Sequence, residues 1–180
     1  MMSEMELHDA DSEPPPRKLQ VDVTNETDAE VDGDRLEAAV RAALAGIGSR
    51  QASISVAVVD DEAMHELNRR FLQHDYPTDV LSFTLEDDPA RLEGEIIVSR
   101  DTAQRMAVEA GWPAKDELLL YVVHGALHLA GRRDKSLADE AAMRSAEAAV
   151  LDRLGVARSA GDARWQSVEC CGSNGKAAKS

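Results

Sequence analysis

The sequence predicts an α+β fold: a single domain in which a mixed sheet of about four strands is covered by helices. Three observations lead there. Short β-branched runs alternate along the chain with segments whose apolar residues recur at helical spacing. An early strand–helix–strand unit requires a parallel pair joined by a right-handed crossover. Two later strands, separated by the polar turn DDPARLE, form an antiparallel hairpin.

Each element has its own signal. Leu19, Val21 and Val23 alternate as a half-buried strand. Asp34 is placed to cap the helix RLEAAVRAALAGIG, whose inner stripe is Leu36, Ala39, Val40, Ala43 and Leu44; Gly46 or Gly48 ends it. SISVAVVD is rich in β-branched residues, as an interior strand is. Asp60 or Asp61 then caps a helix that turns Met64, Leu67, Asn68 and Phe71 inward. After the turn HDYPTD come the hairpin strands VLSFTLE and GEIIVS. Three helices complete the chain, at about Thr102–Ala110, Asp116–Ala130 and Leu137–Leu154. The flanks, residues 1–17 and 156–180, lack apolar periodicity and read as disordered tails around a folded part at 18–155. Trp165 belongs to the second tail and reads as its passenger.

Composition narrows the function. The 180 residues carry 34 Asp+Glu against 20 Lys+Arg, a net charge of −14. Most of it lies in residues 21–155, with 27 acids and 14 bases. Such a balance opposes charge-driven, promiscuous binding to nucleic acid or to an anionic membrane. Aromatics make up 3% of the chain, which excludes an extended base-stacking platform. The two cysteines, Cys170 and Cys171, are adjacent and cannot staple a fold, so a reducing cytoplasm is expected. The longest apolar stretch, Leu118–Ala130, is too short for a membrane span and contains two histidines. The N-terminal residues are acidic, without the apolar core of a signal peptide.

Those two histidines are the chemical feature. His124 and His128, four apart in LLLYVVHGALHLAGRRD, project from one helix face a turn apart, as the metal-binding histidines of a zincin helix do. Gly131 ends the helix and turns the chain, and Asp134 is the carboxylate next in line as a third ligand. A His₂Asp set leaves positions open, the arrangement of a catalytic zinc site. The alternative is that both histidines are buried helix residues satisfied by backbone carbonyls. A zincin protease would carry its general-base Glu directly after the first histidine, where this chain has Gly125.

HGALHLAG followed by Asp134 resembles the HGxLHLxG signature of the YbeY family of single-strand-specific endoribonucleases. LNRRFLQHDYPTDVLSF, the strand GEIIVS and the helix holding Glu140 to Met143 extend the similarity over about residues 50–155. The resemblance implies a zinc-dependent hydrolase of single-stranded ribosomal RNA. It would mature the 3′ end of small-subunit rRNA and serve ribosome quality control, together with the ribosome or a ribosomal protein. It also implies His124 and His128 as metal ligands. The family's third ligand is a histidine, replaced here by Asp134; a carboxylate hardens the site, so Mn²⁺ or Fe²⁺ come into range behind Zn²⁺. An arginine usual in the second block is Leu72, and the Tyr-Asp usual before the third ligand is Arg132-Arg133. Glu95 is the candidate general base or support for the site, the alternative being an outward-facing strand carboxylate. Arg69, Arg70, Arg132 and Arg133 are candidate RNA contacts, the alternative being solvated helix-surface charges. Two other functions stay open: another zinc-dependent hydrolase, and a non-catalytic ribosome-assembly factor with a structural metal.

Overall fold

The computed structural model describes residues 19–48, 51–72, 78–158 and 164–165. In chain order the elements are β1 (Leu19–Asn25), α1 (Gly33–Ala43), β2 (Gln51–Val59), α2 (Asp61–Leu72), β3 (Val80–Asp87), β4 (Arg91–Ser99), α3 (Arg100–Ala110), α4 (Ala114–Leu129) and α5 (Leu137–Arg153). The strands form one mixed sheet in the order β1-β2-β4-β3. β2 runs parallel to both β1 and β4, while β3 pairs antiparallel with β4. The β-branched run of β2 is therefore interior, and the α+β class and mixed sheet expected from the sequence hold.

Strand alternation decides which helix meets which face. Ile54, Val56 and Val58 of β2 and Leu92, Ile96 and Val98 of β4 point to one side, into the main core. There α1 and α4 pack on the sheet, and α5 backs α4. Enclosed by the sheet and by α1, α3 and α5, α4 is apolar nearly all round, as a fully interior helix must be. Two glycines bring helix and sheet together. A Cβ on Gly94 would lie 2.7 Å from Leu129 Cδ1, and one on Gly125 would lie 2.8 Å from Ile96 Cγ2. Both contacts are closer than a methyl group tolerates.

The other face is covered less than the sequence suggests. α2 packs there on the corner formed by Val59, Leu81 and Ile97, with Met64 buried beneath it. Ser53, Ser55, Glu93 and Glu95 share that face and remain partly exposed. Phe71, expected inside, is 54% exposed and meets the ring of Phe83, because α2's buried side ends a turn earlier, at Asn68.

Two further expectations are corrected. The cap of α1 is Asp32, whose carboxylate accepts the Arg35 N–H at 3.1 Å. The helix starts at Gly33, so Asp34 sits in its first turn, where a negative charge suits the helix dipole. Trp165 is not a passenger but is 2% exposed, edge-on to Trp112 with ring centroids 6.5 Å apart. Beside it, the Arg164 guanidinium donates two bonds, of 2.8 and 2.9 Å, to the buried Glu117 carboxylate. The indole's pocket comes from distant elements, so no local periodicity announces it. Most of the turn HDYPTD, residues 74–77, lies outside the described residues, as do Cys170 and Cys171.

Candidate metal centre

The site is built by the end of α4 and the chain reversal after it. The Gly131 N–H donates to His128 O at 2.9 Å and the Arg132 N–H to Leu127 O at 3.0 Å. This is a Schellman closure, and it needs the left-handed backbone that Gly131 adopts at φ +87°. The turned-back chain delivers Asp134 to the imidazoles.

His124 Nε2 and His128 Nε2 lie 2.9 Å apart. Asp134 Oδ2 is 3.7 Å from the first and 3.5 Å from the second. The opposite ring nitrogens are both engaged. His128 Nδ1 donates to Arg132 O at 3.0 Å, and a carbonyl can only accept, so the proton is on Nδ1. His124 Nδ1 donates to Glu147 Oε1 at 2.6 Å. In the neutral imidazoles both Nε2 atoms then present lone pairs to each other beside a carboxylate oxygen. Three acceptors converging without a donor call for a cation, and two imidazoles with a carboxylate suit a divalent metal. The residues present fit a metal ion, and partial exposure of all three leaves coordination positions open to solvent.

Glu147 is the residue the sequence reading missed. It is fully buried on α5, holding His124 with one oxygen and accepting from Arg144 at 2.8 Å with the other. Such a carboxylate behind a metal-binding histidine fixes its tautomer and ring orientation. One signal pointed to it: Glu147 stands at four-residue spacing between Met143 and Leu151, a carboxylate inside an apolar stripe.

The structure brings His124, His128 and Asp134 together and leaves the other candidates apart. Gly94 and Ile96 face α4, so Glu95 between them points through the opposite face of the sheet, alongside Phe83. It is the outward-facing strand carboxylate and does not reach the histidines. Arg69 and Arg70 end α2, on that same far side, and Arg70 lies over the Phe71 ring. Arg132 contributes its backbone carbonyl to His128 and also lines a separate cleft with Ile47 and Arg153. Arg133 is exposed.

His124 stands where two clefts of about 390 and 440 Å³ meet. Tyr121, in the wall of the first, is kept protonated. Its own burial, then the carboxylates of Glu117 and Asp79, hold the phenol far above its usual range. Asp79 bonds within its own turn, accepting the Val80 N–H at 2.9 Å and the Thr78 hydroxyl at 3.1 Å.

Fold and site together define the class: an α+β protein carrying a preorganised His-His-Asp group, able to hold a metal ion, on its central helix. The chain belongs to the endoribonuclease YbeY family, whose model, described as "Endoribonuclease YbeY", matches residues 22–155. It is 42% identical over 157 residues to the endoribonuclease YbeY of Rhodopirellula baltica, covering 80% of this chain and 81% of that one. The Salinispora tropica endoribonuclease YbeY is 36% identical over 149 residues, covering 74% and 94%. A solved structure titled "Solution structure of TM1509 from Thermotoga maritima" aligns with a TM-score of 0.49 at 24% identity, covering 76% of this chain and 91% of that one. This membership makes the protein a nuclease, a hydrolase by reaction type, with RNA as its substrate class. Among the described residues no helix is long and apolar enough to cross a membrane.

Proposed function

We propose that this protein is a zinc-dependent endoribonuclease specific for single-stranded ribosomal RNA, with His124, His128 and Asp134 as the metal ligands. In this reading it matures the 3′ end of small-subunit rRNA and serves ribosome quality control in the cytoplasm, docked on the ribosome or a ribosomal protein. The observation that carries it is the convergence of two bare imidazole nitrogens and a carboxylate, in a chain of an endoribonuclease family. Bound there, a divalent ion would polarise the scissile phosphate and lower the pKa of a water. The protein's part is to hold the ligands. Glu147 keeps the His124 proton on Nδ1, the Arg132 carbonyl does the same for His128, and the Gly131 turn delivers Asp134. With all three arranged before substrate arrives, little reorganisation remains for the reaction step.

The test pairs metal analysis with RNA cleavage. The purified protein should contain about one ion per chain and cut single-stranded RNA in a chelator-sensitive way, with duplex RNA resistant. His124→Ala and His128→Ala should lose both metal and cleavage. Cleavage that persists in either variant after chelation would refute the proposal.

A further inference from the structure

We infer that Arg144 is the cation that meets the RNA backbone beside the metal centre, binding a phosphodiester oxygen through Nε and Nη2. The inference rests on the endoribonuclease reading above and adds a substrate-contacting residue to it. Arg144 lines both clefts that meet at His124. Its Nη1 donates to Glu147, leaving Nε and Nη2 with no partner among the described residues, and its side chain is 36% exposed. The buried carboxylate that holds Arg144 also holds His124, so guanidinium and imidazole are positioned by one anchor. A pre-positioned planar fork loses little side-chain entropy on meeting phosphate. Arg164 lines the same two clefts, but both of its terminal nitrogens are committed to Glu117. The cleft walls also include Asp79 and Glu140, which repel a polyanion, so a fixed guanidinium beside the cation site supplies the local attraction.

The test uses the metal-loaded full chain and a single-stranded RNA oligonucleotide. Arg144→Gln should raise KM about tenfold and lower the salt dependence of KM by about one phosphate contact, with one metal ion per chain retained. Arg144→Lys should restore most of the salt dependence, a recovery that a packing role would not give. Unchanged KM and salt dependence in Arg144→Gln would overturn the inference. Should that variant not fold, RNA must protect Arg144 of the unmutated chain from an arginine-directed dicarbonyl reagent; unchanged reactivity at saturating RNA overturns it equally. Failure of the unmutated protein to cut single-stranded RNA would instead overturn the reading on which the inference rests.

Discussion

At the scale of single residues, the candidate site depends on a carboxylate that touches neither imidazole Nε2. Glu147 is buried with two donors, the His124 Nδ1–H and Arg144. Replacing it by Gln keeps the shape and removes the charge, so imidazole basicity falls and the side-chain amide competes for the proton arrangement. Glu147→Gln should weaken metal binding about 10- to 100-fold, measurable by chelator competition, while the helical circular dichroism remains. Chain distance governs how legible the site was. His124 and His128 announce themselves because helical spacing is local, and Asp134 because a glycine-closed turn folds the next few residues back on the helix. Glu147 comes from the next helix, 23 residues after His124, where proximity depends on how α5 packs on α4. Glu95 misleads for the complementary reason. Its neighbours Gly94 and Ile96 face the site helix, and strand alternation turns the residue between them away.

At the scale of elements, the α4–β4 contact accounts for Gly125. Its importance is not the missing general base of a protease but the 2.8 Å approach that any Cβ would make to Ile96, with Val80 Cγ2 a further 3.2 Å contact. Gly125→Ala should destabilise the fold by about 1–3 kcal/mol in urea unfolding, since side chains on a central strand have little room to yield. The junction of α2 and α3 carries a different load. Asp61 accepts from the Ser99 hydroxyl at 2.6 Å, the Thr102 hydroxyl at 2.9 Å and the Arg105 guanidinium, tying the starts of two helices together. Burial raises its pKa, but the bonds from Ser99, Arg105 and Thr102 outweigh this and hold it below the ordinary value. Because the folded-state pKa is depressed, the stability from Asp61 is fully present above the unfolded pKa of about 4. It is lost as pH falls further, through the folded-state value. Asp61→Asn should therefore cost about 1–2 kcal/mol at pH 7. The gap to the unmutated protein should stay constant down to about pH 5 and narrow in more acid solution, as followed by thermal melts. Element identities were readable from periodicity, including the interior place of β2. The cap at Asp32 was not, because where a helix begins depends on one turn of backbone. The half-bare second sheet face was not either, because coverage depends on where α2 crosses.

At the scale of the whole molecule, the charge of −14 and the site point in different directions: some acids line the clefts beside His124, and others lie far from it. Glu93 and Glu95 lie on the sheet face away from α4. Salt screens such charges over about 10 Å, whereas a cation site and a fixed guanidinium act at contact range. The fold that was legible, strand and helix order, is the part carried by the family-matched span. A further part that was not is the docking of Arg164 and Trp165, which lie beyond residue 155. That docking has a consequence for what counts as a domain here. Residues 164 and 165 share a chain with the pocket they fill, so their docking is an intramolecular event. Severed from the chain, the same dipeptide would have to find the pocket by diffusion. The family-matched span, residues 22–155, therefore stops short of part of the buried cluster, which takes in Val156 and Trp165.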